Sequence, residues 1–515
     1  MATTLNLDVQ EQEPTSSSLL PPLSPISSAL ATSPFLSQTV VPVFSFEVPI
    51  HESKVIELLR NVIIPLNDRL TSIVHIDKKG VPRWKKIDFK VEDHVVVVTF
   101  PPNLSRQECD LKLRDYVSKV GGEGFPHYET KPLWEIHVVK YSNNNSGHDS
   151  LNRGGAVIFK LSHAMGDGYS FLSLVFNGFK RADDPLLPFT VPGGASRINI
   201  KEGFGSKCRR TAMKGLNSVP SVGKILMAGS CLGDDKSVVR SGRPRVELEP
   251  IDILSINYPL DVIKQVKSKL QTNKAKKKVE WRKERDKGGL AWREGYWFRG
   301  TSVNDVITGI IHYAIHLYKS RKAPNSGSDH KRMTTLAMLN MRMILKGHKD
   351  INEMLKAGIW GNHSTYLQVP IPNVSPNQNV DPLYFIFAAK KNMKRMKNSF
   401  VPQLTFPVIN TMKRFKGTKG VADFIYSTLN STTAMITNVI GPNENMTMAG
   451  YPIKDFFCIV AGTPQAQPHL HGGVLVGAVE CDDNSREEIH RFPSFQRVHG
   501  RILSTHCRSN SPQER

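Results

Sequence analysis

In this chain of 515 residues, the run best suited to chemistry is SHAMGDG, Ser162–Gly168, in which a histidine, an aspartate and two glycines sit where one periodicity gives way to another. Upstream, AVIFKL is continuously apolar except for its lysine and has strand character. Downstream, Phe171, Leu172, Leu174, Val175 and Phe179 recur at helical spacing. His163 therefore ends a strand. Gly166 and Gly168 permit backbone angles closed to other residues, and Asp167 is suited to cap the helix that follows. Such a turn can aim an imidazole into a cleft. Near neutral pH that ring takes a proton from an alcohol and, as imidazolium, returns one to a leaving group. A histidine at a strand end is by default a packed core residue, and an HxxxDG string arises by chance in roughly a few per cent of chains this long. Its setting must carry the argument.

The setting is a mixed α/β chain. TVVPVFSFEVPI reads as a strand from Thr39, and Val55, Leu58, Leu59, Val62 and Ile63 mark a helix in the stretch after it. Further strands are expected at Val95–Phe100, Trp134–Tyr141 and Ala156–Leu161, with a helix at Gln107–Val120. Residues 1–22, rich in Ser, Thr, Pro and Glu, read as a disordered tail, so the first domain is expected over 23–191. From 192 to 245 the apolar faces weaken, as in a connection between domains. A second α/β pattern occupies 246–505, followed by a tail over 506–515. In it VELEPIDILSINYPL is expected as a strand, DVIKQVKSKLQ and NDVITGIIHYAIHLYKSR as helices, and MTTLAMLNMR, STYLQVPI, MITNVIG and residues 456–460 as strands.

Composition narrows the partners. The net charge of +22 asks for an anionic one: nucleic acid, an acidic membrane surface or a phosphate-bearing ligand. Its densest basic run, Lys274–Arg299, interleaves Lys and Arg with three Trp and a Tyr. No helix-turn-helix, zinc-finger or RNP pattern accompanies it, so nucleic acid is not expected. The six cysteines lie far apart without metal-ligand spacing and read as reduced thiols. No basic and apolar leader opens the sequence, and no window approaches the ~20 apolar residues of a spanning helix. Membrane contact is expected to be peripheral.

SHAMGDG resembles the HHxxxDG active-site motif of the CoA-dependent acyltransferase superfamily, and its surroundings are similar to the plant wax ester synthase/diacylglycerol acyltransferase family. The likeness recurs in order at Leu23–Pro25, Arg83–Trp84, Asp93–Val95, PLWEIHVV (Pro132–Val139), SVNDVITG (Ser302–Gly309), WGN (Trp360–Asn362), TNVIGP (Thr437–Pro442) and MAGYPIKDFF through AGTPQA, covering most of residues 23–505. It implies two chloramphenicol-acetyltransferase-like domains meeting along a central substrate channel. Within it, His163 would be the general base for transfer of a fatty acyl group from acyl-CoA to a long-chain alcohol, to diacylglycerol or to both. Acyl-CoA would be a substrate; no cofactor or metal is implied. Asp167 would orient the turn by pairing with an arginine, and Gly168 would allow close packing. Asn304 and Asp305 would cap a helix or brace the channel wall, Asn438 would shape the channel, and Pro132 and Trp134 would pack near the site. The implied location is the cytoplasmic face of the endoplasmic reticulum, or the plasma membrane.

The sequence also departs from the family. Ser162 stands where HHxxxDG has its first histidine, although the second, which is the base, is present. Residues 274–300 interrupt a usually short spacing, and after Gln467 the likeness is loose. A catalytically impaired homologue that only binds acyl-CoA or membranes is therefore an alternative, as is an acyltransferase for another alcohol. The DFGWG segment of transferases acting on phenolic acceptors is absent. A peptide-synthetase condensation domain would sit among carrier domains for which the chain has no room.

Overall fold

A computed structural model describes residues 19–125, 127–141, 154–190, 233–240, 260–272, 301–322, 332–342, 351–375, 380–439, 441–442, 444–462 and 475–479, with isolated positions 215, 253 and 378. Along the chain these form β1 (Leu19–Pro22), α1 (Pro25–Thr32), β2 (Thr39–Phe46), α2 (Glu52–Leu58), β3 (Ser72–Ile76), β4 (Pro82–Lys86), β5 (Val95–Phe100), α3 (Arg106–Gly122), β6 (Trp134–Tyr141), β7 (Gly155–Ser162), α4 (Gly168–Gly178) and β8 (Lys180–Arg181). The second half contributes α5 (Leu260–Thr272), α6 (Val303–Lys322), β9 (Thr334–Asn340), α7 (Ile351–Lys356), β10 (Ser364–Pro370), α8 (Pro382–Lys397), α9 (Val401–Asn430), β11 (Ala434–Val439), β12 (Met446–Met448), β13 (Tyr451–Pro452), β14 (Asp455–Ala461) and β15 (Leu475–Val479).

Two sheets dominate. The first has the order β14-β2-β7-β6-β5 and the second β10-β9-β11-β15. The apolar run that precedes His163 becomes β7, buried at every position and paired antiparallel with β2 on one side and β6 on the other. A strand covered on both faces needs such a sequence, without polar alternation. One face packs on α3, whose start is fixed by the reciprocal box of Ser105 and Glu108. The other joins a larger core in which Phe44 meets Phe159 and Phe179 edge to face.

The edge strand β14 belongs by sequence to the second half yet completes the first sheet, paired with β2 from Asp455↔Ser45 to Ala461↔Thr39. Phe456 stacks on Phe44 with ring centroids 4.6 Å apart. The expected boundary, which gave all of 246–505 to the second domain, is therefore crossed. A strand can leave its own sheet when another offers an unpaired apolar edge, and β2 offers one.

Other expectations are corrected as well. The first residues of the fold come earlier than Leu23, because Leu19 and Pro22 pair with Lys85 and Arg83 of β4. Two prolines are tolerated there because β1 is an edge strand. Within the expected connection, residues 233–240 are already fastened to the second sheet, where Asp234 accepts from the amides of Thr334 (2.6 Å) and Thr433 (2.8 Å). The long helices α8 and α9 have no counterpart in the sequence reading, and α9 is interrupted at Gly417, whose φ of 66° is not helical. β15 pairs parallel with β11, so the last sheet edge forms despite the loose likeness beyond Gln467. The expected strand at 246–259, the basic run 274–300 and the C-terminal tail lie outside the described residues, apart from Ile253.

Candidate active site

β7 delivers His163 to the point where the two halves meet. The His163 amide donates to the Gln38 carbonyl at 2.8 Å, and the Ser162 amide to the Leu133 carbonyl at 2.9 Å, which fixes the strand end on both sides. β7 ends at Ser162, and His163 opens the turn that follows. The Ser162 hydroxyl accepts from the Ala164 amide at 3.2 Å, bracing that turn. Around Ser162, Trp134 is fully buried, donates through Nε1 to the Leu70 carbonyl at 2.7 Å and stacks on His94, while its amide bonds to the Pro132 carbonyl. These contacts anchor β6 beside the site.

His163 as a residue is partly exposed, while its imidazole is enclosed by protein. Its Nδ1 lies 3.0 Å from Oδ1 of Asn362. The Asn362 amide nitrogen donates to the backbone carbonyl of His163 at 2.9 Å and to the Ser27 hydroxyl at 3.2 Å. Burial pushes the imidazole below its ordinary range; the Asp167 carboxylate, a hydrogen bond to the residue's own backbone and the bond to Asn362 oppose that without reversing it. A neutral ring at physiological pH results, as a proton acceptor requires.

Asp167 caps α4 by accepting from the Ser170 amide, but most of its capacity is spent elsewhere. Its Oδ2 accepts from Arg342 Nη1 at 2.8 Å, the His363 amide at 3.0 Å and the Ser364 hydroxyl at 2.7 Å, while Oδ1 lies 2.8 Å from Arg342 Nη2. The carboxylate is 2% exposed and the arginine 1%. Burial alone would raise the carboxyl; the Arg342 charge and the hydrogen bonds of Arg342 and Ser364 outweigh it, and the group sits below the usual carboxylate range. With so many donors committed to it, Asp167 has no capacity left to carry a proton.

Arg342 also donates to the carbonyls of Gly361 (2.7 Å) and Ile359 (3.1 Å), so the segment 359–364 is strapped across the turn. Gly361 has φ 123°, in the region that favours glycine, and a Cβ there would come within 3.1 Å of the His363 ring. Gly168 is the first residue of α4.

Asn304, Asp305 and Asn438 gather where α6 begins beside β11. Asp305 and Ser302 cap α6 reciprocally, through Ser302 N to Asp305 Oδ2 (2.7 Å) and Asp305 N to Ser302 Oγ (3.2 Å). Asn438 donates through Nδ2 to Oδ1 of Asn304, while its own Oδ1 is buried with no hydrogen-bond partner among the described residues.

Arg342, Asn362 and Ser27 escaped the sequence reading as site residues. An arginine partner for Asp167 was expected, but nothing local singles out Arg342, 175 positions away. Asn362 did carry a signal, because it closes the WGN string.

The chain is similar to known proteins in sequence and in fold. Residues 360–470, which include Asn362, match the model of the WS/DGAT C-terminal domain. The chain is 25% identical over 464 residues to wax ester synthase/diacylglycerol acyltransferase 11 of Arabidopsis thaliana, covering 86% of each. It is 26% identical over 472 residues to number 3 of the same series, covering 89% of this chain and 86% of that one. In fold it resembles the wax ester synthase/diacylglycerol acyltransferase from Marinobacter aquaeolei VT8, with a TM-score of 0.52 at 12% identity over 95% of this chain and 100% of that one.

Proposed function

We propose, from the premise that this chain is a relative of the wax ester synthases/diacylglycerol acyltransferases, that it is an O-acyltransferase moving a fatty acyl group from acyl-CoA to a long-chain alcohol, diacylglycerol or both. The observation that carries this reading is a neutral, partly exposed His163, held in place by residues from both halves of the molecule.

The reaction needs little else from the protein, because a thioester is already activated. His163 takes the proton of the acceptor hydroxyl as its oxygen attacks the acyl carbonyl. The ester C–O bond forms, the C–S bond breaks, and the imidazolium returns the proton to the departing CoA thiolate. Acyl-CoA enters as substrate and no cofactor is called for. Asn304, Asp305 and Asn438 serve the walls of the substrate channel, and Pro132 and Trp134 its packing.

Among the described residues no helix is long and apolar enough to cross a membrane. A water-insoluble product and a net charge of +22 favour a peripheral position on an anionic membrane, at the cytoplasmic face of the endoplasmic reticulum or at the plasma membrane. The test of function is direct. Purified protein is incubated with palmitoyl-CoA and either hexadecanol or diacylglycerol, and the lipid products are resolved. Wax ester or triacylglycerol is expected; binding of palmitoyl-CoA with neither ester formed sinks the proposal in favour of a binding protein.

A further inference from the structure

We infer that Asn362 is a positioning residue that holds His163 in a single tautomer, with the hydrogen on Nδ1 and the basic lone pair on Nε2. The inference rests on the reading of His163 as the base, and it begins with the two ends of one amide. One end lies 2.9 Å from the His163 backbone carbonyl, which can only accept a hydrogen bond. That end must be the NH2 group. Its other hydrogen is directed to the Ser27 hydroxyl at 3.2 Å. The end facing the ring at 3.0 Å is therefore the carbonyl oxygen, which can only accept. Nδ1 must supply the hydrogen, and a neutral imidazole protonated on Nδ1 keeps its lone pair on Nε2.

The amide is itself well held. Asn362 is 7% exposed, and its neighbours in the chain are tied down on both sides: the Gly361 carbonyl accepts from Arg342, and the His363 amide donates to Asp167. The buried ion pair thus acts on the base indirectly, through the strap that carries Asn362. When the ring gains its second proton during the reaction, the Nδ1–H bond to Asn362 persists, and only Nε2 changes state.

Full-length protein labelled with 15N in its histidine rings tests this, with the His163 signals assigned by their loss in His163→Ala. Above the ring's pKa, wild-type Nε2 should show the shift of an unprotonated nitrogen and Nδ1 that of a protonated one. In Asn362→Ala the two shifts should move toward each other as the second tautomer gains population, with only the ring's bond to its own backbone left to oppose it. Because a misdirected tautomer costs up to about 10⁴ in kcat where a carboxylate is the orienting group, and a neutral amide orients less strongly, kcat should fall about 10- to 10²-fold with KM for palmitoyl-CoA within about twofold. The acidic limb of kcat/KM should move to lower pH, since the lost bond was one that raised the ring's pKa.

A wild-type ring protonated on Nε2 overturns the inference, even if Asn362→Ala does not fold. So does a folded Asn362→Ala whose ring shifts and acidic limb match wild type. If instead the wild-type ring carries its hydrogen on Nδ1 while His163→Ala still forms ester at the full rate, the tautomer assignment stands and the general-base reading falls.

Discussion

At the scale of single residues, the proposed function assigns the chemistry to His163 and its support to Asp167. His163→Ala should abolish most ester formation, by about 10²–10⁴ in rate, while melting temperature and palmitoyl-CoA binding stay near wild type. A lowered melting temperature with activity per folded molecule preserved would instead make His163 a core residue. Because burial holds the ring below its ordinary value of about 6.5, the neutral base persists as pH falls. The acidic limb of kcat/KM should lie below that value, and a limb at or above it would contradict the enclosure of the ring. Asp167→Ala is expected to act through structure. It strands the buried Arg342 charge, which typically costs about 3–5 kcal/mol, beyond the loss of a helix cap. Denaturant midpoints should fall along with rate, and a large rate loss at unaltered stability would give Asp167 a direct part in the chemistry. The sign with pH follows from its lowered pKa: this stabilisation is complete above about pH 4, the unfolded value, and is lost as pH falls through the lower native one.

Between elements, the second sheet depends on a close approach of α6 and α8. Gly309 lies against Ile386, and a Cβ added there would stand 2.4 Å from the Ile386 Cα. The obstacle is backbone, which cannot rotate away. Gly309→Ala should therefore destabilise by about 1–3 kcal/mol through overpacking, more than offsetting the helix propensity that alanine adds. Thermal melts of the purified variant test this, and a melting temperature at or above wild type would show that the helices can separate at no cost.

At the scale of the whole molecule, the two halves are not independent. β14 closes the first sheet from the second half, and the pairs Asp167–Arg342 and His163–Asn362 cross between them. A fragment ending at residue 190 would leave the apolar edge of β2 unpaired and Arg342 missing from Asp167. Such a fragment should aggregate on expression, and a soluble, cooperatively melting one would refute this dependence. Charge is the other global property. Basic residues near an acidic leaflet contribute about 1 kcal/mol each, and two places could supply them: the run Lys274–Arg299, and the kink in α9, where Phe415 is 80% exposed between Arg414 and Lys416. Flotation with phosphatidylserine vesicles should show weakened binding when residues 274–299 are deleted, and a further loss on adding Phe415→Ser. Binding unaffected by either change would rule out both places, and a protein that does not float with the vesicles would refute the membrane association itself.

The sequence by itself determined the strand, turn and helix around His163, since AVIFKL, two glycines and an aspartate before an apolar helical face leave little local alternative. It also determined the ordered family strings and the capping role open to Asp305. These are short-range matters of periodicity, backbone freedom and capping, which neighbouring residues settle among themselves. The identity of the arginine that pairs with Asp167, the amide that faces His163 and the sheet that receives residues 455–461 were decided only by the tertiary structure. Each depends on residues more than 150 positions apart being buried together, where an unpaired charge or an unpaired strand edge carries a cost that no local pattern records.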